Sequence, residues 1–360
     1  MIESAEDLFE IEPYSLERSQ KETALTRILK QLSEEHRGKC ERYGNFIKNM
    51  DIDISSVSSY YEIPMLPVRL FKEFDLCSVE KDKVFKTMTS SGTSGQRVSK
   101  IFLDRETSAN QTKTLVKITS DFLGKKRLPM LILDTKSVVK NRNLFSARGA
   151  GILGFSMLGY DVTYALDENM NLDYPVIDAF LEKHQEEPIF LFGFTYIIWQ
   201  HVYKELSNCK RFLDFSRGIL LHGGGFKKLE AEAVDNETYK KKLNEVCGLK
   251  HIYNYYGMVE QTGSIYMECE CGHLHASNFS DVIIRNPKDF SVCQTGQKGL
   301  IQVVSVLAKS YPGHSLLTED VGEILGEDDC PCGRKGKYFK VHGRIQKAEV
   351  RGCSDTYENR

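Results

Sequence analysis

The chain lacks a long apolar run, a basic excess and a secretory leader, and each absence removes a class of function. Its longest apolar stretch spans 188–194, which is well short of the ~20 residues that a membrane-spanning helix needs. A net charge of −2 gives no sign of a nucleic-acid-binding surface. Residues 1–7 are acidic and lack the apolar core of a signal peptide. We therefore expect a soluble, cytoplasmic protein with no membrane span and no nucleic-acid partner.

Internal repeats and low-complexity tracts are absent as well, and helix-like and strand-like patterns alternate along the chain. Helical spacing of apolar residues predicts helices at 15–49 (with Ser15 as its N-cap), 107–123 and 175–184. Strand-like runs predict strands at 129–134, 161–165, 188–194 and 218–222, and the run at 188–194 predicts a buried strand. This alternation predicts an α/β fold with a largely buried sheet.

The last part of the chain is richer in β-branched residues and turns, and it predicts strands at 301–307 and 321–325. We therefore divide the chain into three parts. These are an α/β core with a helical N-terminal segment at 1–262, a smaller β-rich subdomain with a possible zinc site at 263–345, and a C-terminal tail carrying Cys353 at 346–360.

Residues 89–95 read T-S-S-G-T-S-G, and this stretch is the strongest indication of function. Hydroxyl groups and glycine N–H groups can form a loop around a phosphate, with positive charge from Arg97 and Lys100. The predicted phosphate-binding residues are Ser90, Ser91, Gly92, Thr93, Ser94, Gly95 and Lys100. The stretch lacks the Lys-Ser or Lys-Thr of a P-loop and the third glycine of G-x-G-x-x-G. A plain Ser/Thr/Gly linker is the alternative.

Three more segments stand where strands are expected to end, which is where α/β sheets bind ligands. The glycines at 223–225 would let a flat ring such as adenine approach the backbone, or they form only a tight turn. In Y-G-M-V-E, Tyr256 can stack on a base and Glu260 can hold Mg²⁺, although a solvated glutamate at a helix start is the alternative. Asp320, in T-E-D, can accept the hydroxyl groups of a ribose.

The order of these segments resembles the adenylate-forming (acyl-activating) superfamily, which includes acyl-CoA synthetases and phenylacetate–CoA ligase. The resemblance spans roughly residues 85–345. It implies that ATP and a small-molecule carboxylic acid react to acyl-adenylate and pyrophosphate. It also implies that the loop at 90–95 holds the ATP phosphates, that Glu260 ligates Mg²⁺ and that Asp320 binds the ribose. Arg344 is the implied contact to ribose or phosphate. The implied adenine site consists of Gly223, Gly224, Gly225, Tyr256 and Gly257.

The C-terminal end of the sequence indicates which branch of the superfamily the chain resembles. In the superfamily the chain normally continues past the G-R motif into a mobile domain that carries the adenylating lysine. Here the sequence stops soon after Arg344, and Gln346 stands where the hinge usually has Asp, so we expect the full mobile domain to be lacking. The shorter form resembles the LuxE-type acyl-protein synthetases, as do residues 63–74, the triple glycine and the terminal R-G-C-S. This resemblance implies that Cys353 accepts the acyl group, with neighbouring basic residues favouring its thiolate. The alternative is an exposed tail cysteine without a role.

Ten cysteines are many for a cytoplasmic chain, and four of them form two C-x-C-G pairs. Four sulfur ligands suit tetrahedral coordination and predict a structural Zn²⁺ site. The pairs consist of Cys269, Cys271, Cys330 and Cys332. His273 or His275 can replace one cysteine, and four reduced thiols are the alternative. The LuxE proteins of bacterial luminescence are not marked by these cysteine pairs. We therefore expect a relative of the LuxE enzymes rather than a luminescence enzyme proper.

The sequence thus predicts an enzyme that uses ATP and Mg²⁺ to adenylate a carboxylic acid and passes the acyl group to Cys353 or to a partner thiol. The apolar residues at 192–199 and near Tyr253 favour a fatty or aromatic acid. The family implies an acyl reductase or a carrier protein as partner. Two alternatives stay open. One is acyl transfer to CoA or a carrier protein, as in phenylacetate–CoA ligase relatives, and the other is a non-catalytic, zinc-stabilised nucleotide-binding module.

Overall fold

The computed structural model describes residues 2–90, 97–140, 147–209, 211–226 and 231–345. Its α-helices are α1 (Arg18–Lys39), α2 (Glu41–Asn49), α3 (Leu70–Glu73), α4 (Arg105–Leu123), α5 (Ser137–Lys140), α6 (Ala147–Ser156), α7 (Tyr174–Lys183), α8 (Thr195–Ile197), α9 (Lys204–Cys209) and α10 (Asn236–Cys247). Its strands are β1 (Leu66–Pro67), β2 (Lys86–Thr89), β3 (Lys100–Leu103), β4 (Leu128–Thr135), β5 (Gly159–Leu166), β6 (Ile189–Phe194), β7 (Gly218–Gly223), β8 (His251–Tyr256), β9 (Tyr266–Glu268), β10 (Leu274–His275), β11 (Ser280–Arg285), β12 (Gly299–Ser305), β13 (Ser315–Glu327) and β14 (Lys337–Arg344). No helix among these residues is long and apolar enough to cross a membrane.

A parallel sheet organises the first part of the chain. Strands β4 to β8 run parallel in the spatial order β5-β4-β6-β7-β8. β6 is buried along its whole length, because its apolar side chains occupy both faces of the strand. The largest apolar core, which includes Phe190 and Leu220, forms around these strands. The predicted α/β class is confirmed, and strands are present at all four predicted positions, although β5 lies at the sheet edge and is exposed at residues 160–162.

The β-rich region continues the same sheet by antiparallel pairing. β8 pairs with β9, and the order then runs β9-β10-β14-β13-β12-β11 to the far edge. The short strand β1 adds to β13 in parallel orientation. The strands predicted at 301–307 and 321–325 correspond to β12 and to part of β13. One continuous sheet therefore carries both the parallel strand ends and the β-rich region.

The first helix departs from its prediction at both ends. α1 begins at Arg18 rather than after Ser15, whose hydroxyl instead donates to the Glu12 carbonyl O at 2.8 Å. The predicted N-cap is therefore wrong. The helix predicted across 15–49 is interrupted at Cys40, where extended backbone (φ −115°, ψ 100°) separates α1 from α2. Apolar spacing does not reveal this break, because α2 buries an apolar face of its own.

The N-terminal segment packs on the β-rich region through a buried ionic network. Lys21 Nζ on α1 donates to the Ala276 carbonyl O at 3.1 Å and lies 3.7 Å from Asp281 Oδ1. Asp281 Oδ2 also accepts from the Tyr60 hydroxyl at 2.6 Å and lies 3.4 Å from Lys337 Nζ. Removing one partner from such a network leaves an uncompensated buried charge. The network therefore fixes the segment against β11 and β14, although the sequence groups it with the α/β core.

Candidate active site

The three glycines predicted to frame adenine form the turn that ends β7. A Cβ atom at Gly223 would stand 2.7 Å from the Tyr255 ring, closer than side chains approach. Gly224 and Gly225 have φ values of +86° and +61°, in the left-handed region that glycine adopts without strain. The turn therefore requires glycine. It lies at the carboxyl edge of the parallel strands, where α/β sheets bind ligands.

A histidine that sequence reasoning did not assign holds this turn. The Thr195 hydroxyl donates to the Gly223 carbonyl O at 3.0 Å, and its oxygen therefore accepts from His222 Nδ1 at 2.9 Å. Burial, with a smaller contribution from the charge of Lys240, lowers the pKa of His222 to about 3. The ring is therefore a neutral donor to Thr195 at ordinary pH. The signal that could have located it is a histidine at the end of the apolar run 218–222.

Tyr256 and Asp320 meet across the sheet although they lie far apart in the chain. The Tyr256 hydroxyl donates to Asp320 Oδ2 at 2.6 Å. Burial and the charge of Asp320 raise the pKa of Tyr256 well above its ordinary value, so the phenol remains a donor. In the sheet register Asp320 stands opposite Arg344, whose exposed Nε lies 3.6 Å from Asp320 Oδ1. Gly257 follows Tyr256 in the chain, and a Cβ atom at Gly257 would stand 3.2 Å from the Ile265 side chain. The structure therefore brings Tyr256, Asp320 and Arg344 together.

Glu260 lies in a 3-10 turn, Val259–Gln261, and only 6% of its surface is exposed. Its carbonyl O accepts from the Tyr311 hydroxyl at 2.8 Å. The alternative of a solvated glutamate is therefore wrong. Burial raises the pKa of its carboxyl, while the positive charges of Lys72 and Arg344 act in the opposite direction. A carboxylate in this position fits a Mg²⁺ ion, because a bound cation would offset the cost of burying its charge.

The Ser/Thr/Gly loop joins β2 to β3, an antiparallel pair in which Thr89 stands opposite Lys100. Ser90 Oγ accepts from the Ser99 backbone N–H at 2.9 Å and closes the base of the loop. Lys100 Nζ lies 3.2 Å from Asp75 Oδ1. Outside the described residues lie the rest of the predicted loop and the predicted acyl acceptor, namely Ser91, Gly92, Thr93, Ser94, Gly95 and Cys353.

A separate cluster of cysteine and histidine side chains lies where the β9–β10 hairpin meets the segment before β14. The possible ligand atoms of four residues lie within 4.8 Å of one another, and these residues are Cys269, His275, Cys330 and Cys332. Cys269 Sγ lies 3.9 Å from Cys330 Sγ, and Cys332 Sγ lies 3.4 Å from His275 Nε2. Cys271 is exposed and does not join the cluster, so His275 takes the position that the sequence gives to it.

The composition of this cluster fits a closed metal site. Three thiols and one imidazole complete a tetrahedral ligand set for Zn²⁺ and leave no position for a substrate. Burial raises the pKa of the Cys269 thiol to about 11, and a bound cation would stabilise the thiolate. His273, the other histidine that the sequence offers, contacts Cys330 Sγ through Nδ1 at 3.4 Å. These residues are therefore suited to a structural ion rather than to catalysis.

Two curated relatives, both named long-chain-fatty-acid–luciferin-component ligase, resemble the chain over most of its length. The protein of Aliivibrio fischeri is 22% identical over 336 residues, which cover 90% of this chain and 85% of the relative. The protein of Vibrio harveyi is 22% identical over 340 residues, which cover 91% of this chain and 86% of the relative.

Solved structures of 2-hydroxyisobutyryl-CoA ligase share the fold. The postadenylation state in complex with 2-HIB-AMP has a TM-score of 0.68 and 14% identity, covering 92% of this chain and 69% of that one. An open conformation in complex with 2-HIB-AMP and CoA has a TM-score of 0.69 and 14% identity, covering 93% of this chain and 77% of that one. The fold is thus that of adenylate-forming enzymes. The profile of the family described as acyl-protein synthetase, LuxE, matches residues 2–360, and the chain therefore belongs to this family.

Proposed function

We propose that the protein uses ATP to activate a carboxylic acid as an acyl-adenylate and then transfers the acyl group to a cysteine thiol. Family membership supports this proposal, as does the fold of adenylate-forming enzymes. The observation that carries it is the contact between Tyr256 and Asp320, with the buried Glu260 four residues after Tyr256 in the chain. The contact joins an aromatic ring to a carboxylate that can accept ribose hydroxyls, and Glu260 offers a carboxylate for a cation.

In the first step a carboxylate oxygen of the acid attacks the α-phosphorus of ATP, and the bond to pyrophosphate breaks. Asp320 Oδ2 is already held by Tyr256, so the remaining acceptor positions of the carboxylate can bind ribose hydroxyls. The glycine turn at 223–225 lets the base approach the backbone, and the exposed Arg344 reaches ribose or phosphate. Bound Mg²⁺ at Glu260 would supply charge stabilisation for the phosphates.

In the second step the Cys353 thiolate attacks the acyl carbon, the bond to the adenylate oxygen breaks, and AMP leaves. The products are a protein thioester and free AMP, so atoms and charge balance without a further reactant. Basic Lys347 and Arg351 beside Cys353 in the sequence would favour the thiolate. A thioester retains enough reactivity to be passed to a partner protein.

We further propose a fatty acid as substrate and an acyl reductase as partner, in the cytoplasm. Both curated relatives carry a long-chain fatty acid in their names. Aromatic side chains pack in the core next to the glycine turn, where Phe155 stacks on Phe192 at 4.5 Å and tilts against Tyr255 at 5.1 Å between ring centroids. Transfer to CoA or to a carrier protein is the second candidate for the final acceptor.

The test is carboxylate-dependent ATP–pyrophosphate exchange with a panel of fatty and aromatic acids. We expect exchange with at least one acid. Because a charged hydrogen-bonding group is lost, Asp320→Asn should lower kcat/KM for ATP at least about tenfold. Asp51→Asn, at an exposed position distant in sequence from the site, is the matched control. ATP binding without exchange for any acid would support the non-catalytic module instead, and labelled acyl-CoA as the only product would support the CoA alternative.

We also propose that the cluster of Cys269, His275, Cys330 and Cys332 holds a structural Zn²⁺ ion. The four ligand atoms are close enough to share one ion, and three of the four residues are buried. The ion would join the β9–β10 hairpin to the segment before β14, because two ligands come from each side. A single ion would thus be the common partner of these four neighbouring side chains.

A further inference from the structure

The segment that contains α3 is attached to the strand that carries Asp320. Leu66 pairs with Leu316 in the parallel contact between β1 and β13. The Val68 backbone N–H then donates to the Leu317 carbonyl O at 2.9 Å. α3 begins two residues later, at Leu70. The helix is therefore held beside the part of β13 that leads into the candidate site.

The two neighbours of Lys72 on α3 are each held by a contact to a residue next to the candidate site. Phe71 is buried and stands edge-on to the Tyr311 ring at 6.1 Å, and the Tyr311 hydroxyl donates to the carbonyl O of Glu260. Glu73 lies 2.9 Å from Arg97, just after the Ser/Thr/Gly loop. Because neighbouring Cα atoms are only ~3.8 Å apart, the Lys72 backbone lies between a residue packed against the Tyr311–Glu260 contact and a residue paired just after the loop.

Lys72 differs from the other cations around the loop in its electrostatic partners. Arg97 is paired with Glu73, and Lys100 is paired with Asp75. Among the described residues, the exposed Lys72 ammonium forms no salt bridge or hydrogen bond, yet its charge acts on Glu260. It is therefore a positive charge without a neutralising carboxylate in the described part of the chain, and it acts to lower the pKa of Glu260.

We propose that Lys72 binds the phosphates of ATP and stabilises the negative charge that develops on the pyrophosphate leaving group. An ammonium group is a suitable phosphate ligand because it offers three donors and a compact charge. A metal ion held by Glu260 would supply one positive charge for the phosphates, and Lys72 would supply a second. This assignment rests on the proposed function, since it gives ATP the role of substrate.

The test compares Lys72→Met, Lys72→Arg and the unchanged full-length chain in equilibrium binding of ATP and of adenosine. Because one charged contact to phosphate is lost, Lys72→Met should weaken ATP binding about tenfold and leave adenosine binding unchanged. Lys72→Arg should recover most of the loss. Lys48→Met, at an exposed position on α2, is the matched control and should bind both ligands normally. Thermal midpoints should agree among all variants because both lysines are exposed.

Two outcomes would overturn the assignment. Unchanged ATP binding in Lys72→Met would show that the ammonium does not contact phosphate, and equal losses for ATP and adenosine would indicate a merely structural role. Pyrophosphate exchange tests the proposed function independently of the phosphate contact of Lys72. A chain that binds ATP with the expected Lys72 dependence but exchanges with no acid would refute acyl activation and leave the phosphate contact intact.

Discussion

At the scale of single residues, burial rather than residue type decides what the candidate site can do. Tyr256 keeps its proton because burial and the Asp320 charge raise its pKa, and it therefore serves as a donor to that carboxylate. His222 is kept neutral by burial and orients the glycine turn through Thr195. Both side chains position other groups, and neither needs to change its protonation state for the proposed reaction.

The proposed acyl acceptor yields a prediction at this scale. Cys353→Ser should lose the retention of labelled acyl groups on the chain, because a serine hydroxyl is a far weaker nucleophile than a thiolate. The pyrophosphate exchange rate should stay within about twofold, since the first step does not use the thiol. Labelling with a radioactive fatty acid, followed by denaturing electrophoresis, measures retention.

Cys209→Ser is the control, because Cys209 is an exposed cysteine that stands outside the candidate site. It should retain the label. Full labelling of Cys353→Ser would contradict the acceptor role and would turn attention to a partner thiol or CoA.

At the scale of secondary-structure elements, the cluster of cysteine and histidine side chains connects parts of the sheet that are separated in sequence. β10 carries His275 and pairs with both β9 and β14. Arg334, just beyond the second C-x-C-G pair, lies 2.7 Å from Asp121 on α4 and 2.8 Å from Glu270 in the hairpin. The cluster thus stands where the hairpin, α4 and the approach to β14 meet.

Cys332→Ser and Cys271→Ser form a matched pair that tests this cluster. We expect the purified chain to hold one Zn²⁺ and Cys332→Ser to lose most of it. Its thermal midpoint should fall by on the order of 5 °C, because a loss of about 2 kcal/mol has this effect in a domain of this size. Cys271→Ser should keep both the metal and the midpoint. Elemental analysis and thermal melts measure the two quantities.

Cobalt substitution supplies an independent readout, because intense absorption from sulfur-to-metal charge transfer would report thiolate ligands directly. Equal metal loss in both variants would refute the assignment of His275 over Cys271. A chain that is purified without metal, and that takes up neither Zn²⁺ nor Co²⁺, would refute the site itself.

At the scale of the whole molecule, two buried histidines link the N-terminal segment to the β-rich region. The rings of His36 and His314 stack at 4.9 Å. His36 Nε2 donates to the Ala308 carbonyl O at 2.9 Å, and His314 Nε2 contacts Ser33 Oγ at 2.8 Å. Burial lowers the pKa of His36 to about 4 and that of His314 well below its ordinary value. Both rings are therefore neutral in the folded protein near neutral pH.

Acid should consequently weaken the fold before the carboxylates titrate. Between pH 6.5 and about 4, the unfolded chain binds a proton at His36 that the folded chain does not bind, so the free energy of unfolding falls as pH falls. The stability is fully present above about pH 6.5, and His36 alone accounts for a loss of about 2 kcal/mol at about pH 5. Urea unfolding at about pH 7 and about pH 5 measures the difference.

His36→Gln should show a smaller change between the two pH values, whereas the exposed His251→Gln should keep the full change. Equal stability of the unchanged chain at both pH values would contradict the prediction. Burial also lowers the pKa of His222. The difference between the unchanged chain and His36→Gln therefore measures the contribution of His36 alone to the change in stability with pH.

The core and the glycine turn could be predicted because their signals are local. A run such as Ile189–Phe194 is apolar at every position, which only a strand covered on both faces accommodates. Three consecutive glycines after an apolar run indicate close approach of the backbone, and the Tyr255 ring does stand against Gly223. The break of the first helix at Cys40 could not be read in this way, because apolar residues continue on both sides of it.

By itself, the sequence determined the α/β class, the buried strands and the family, because apolar runs and backbone-restricting residues act over a few neighbouring positions. Only the tertiary structure decided which side chains meet. It brought Tyr256 to Asp320, chose His275 over Cys271 and buried Glu260. These outcomes depend on strand order, on register and on the exclusion of water, which are set by contacts between residues far apart in the chain.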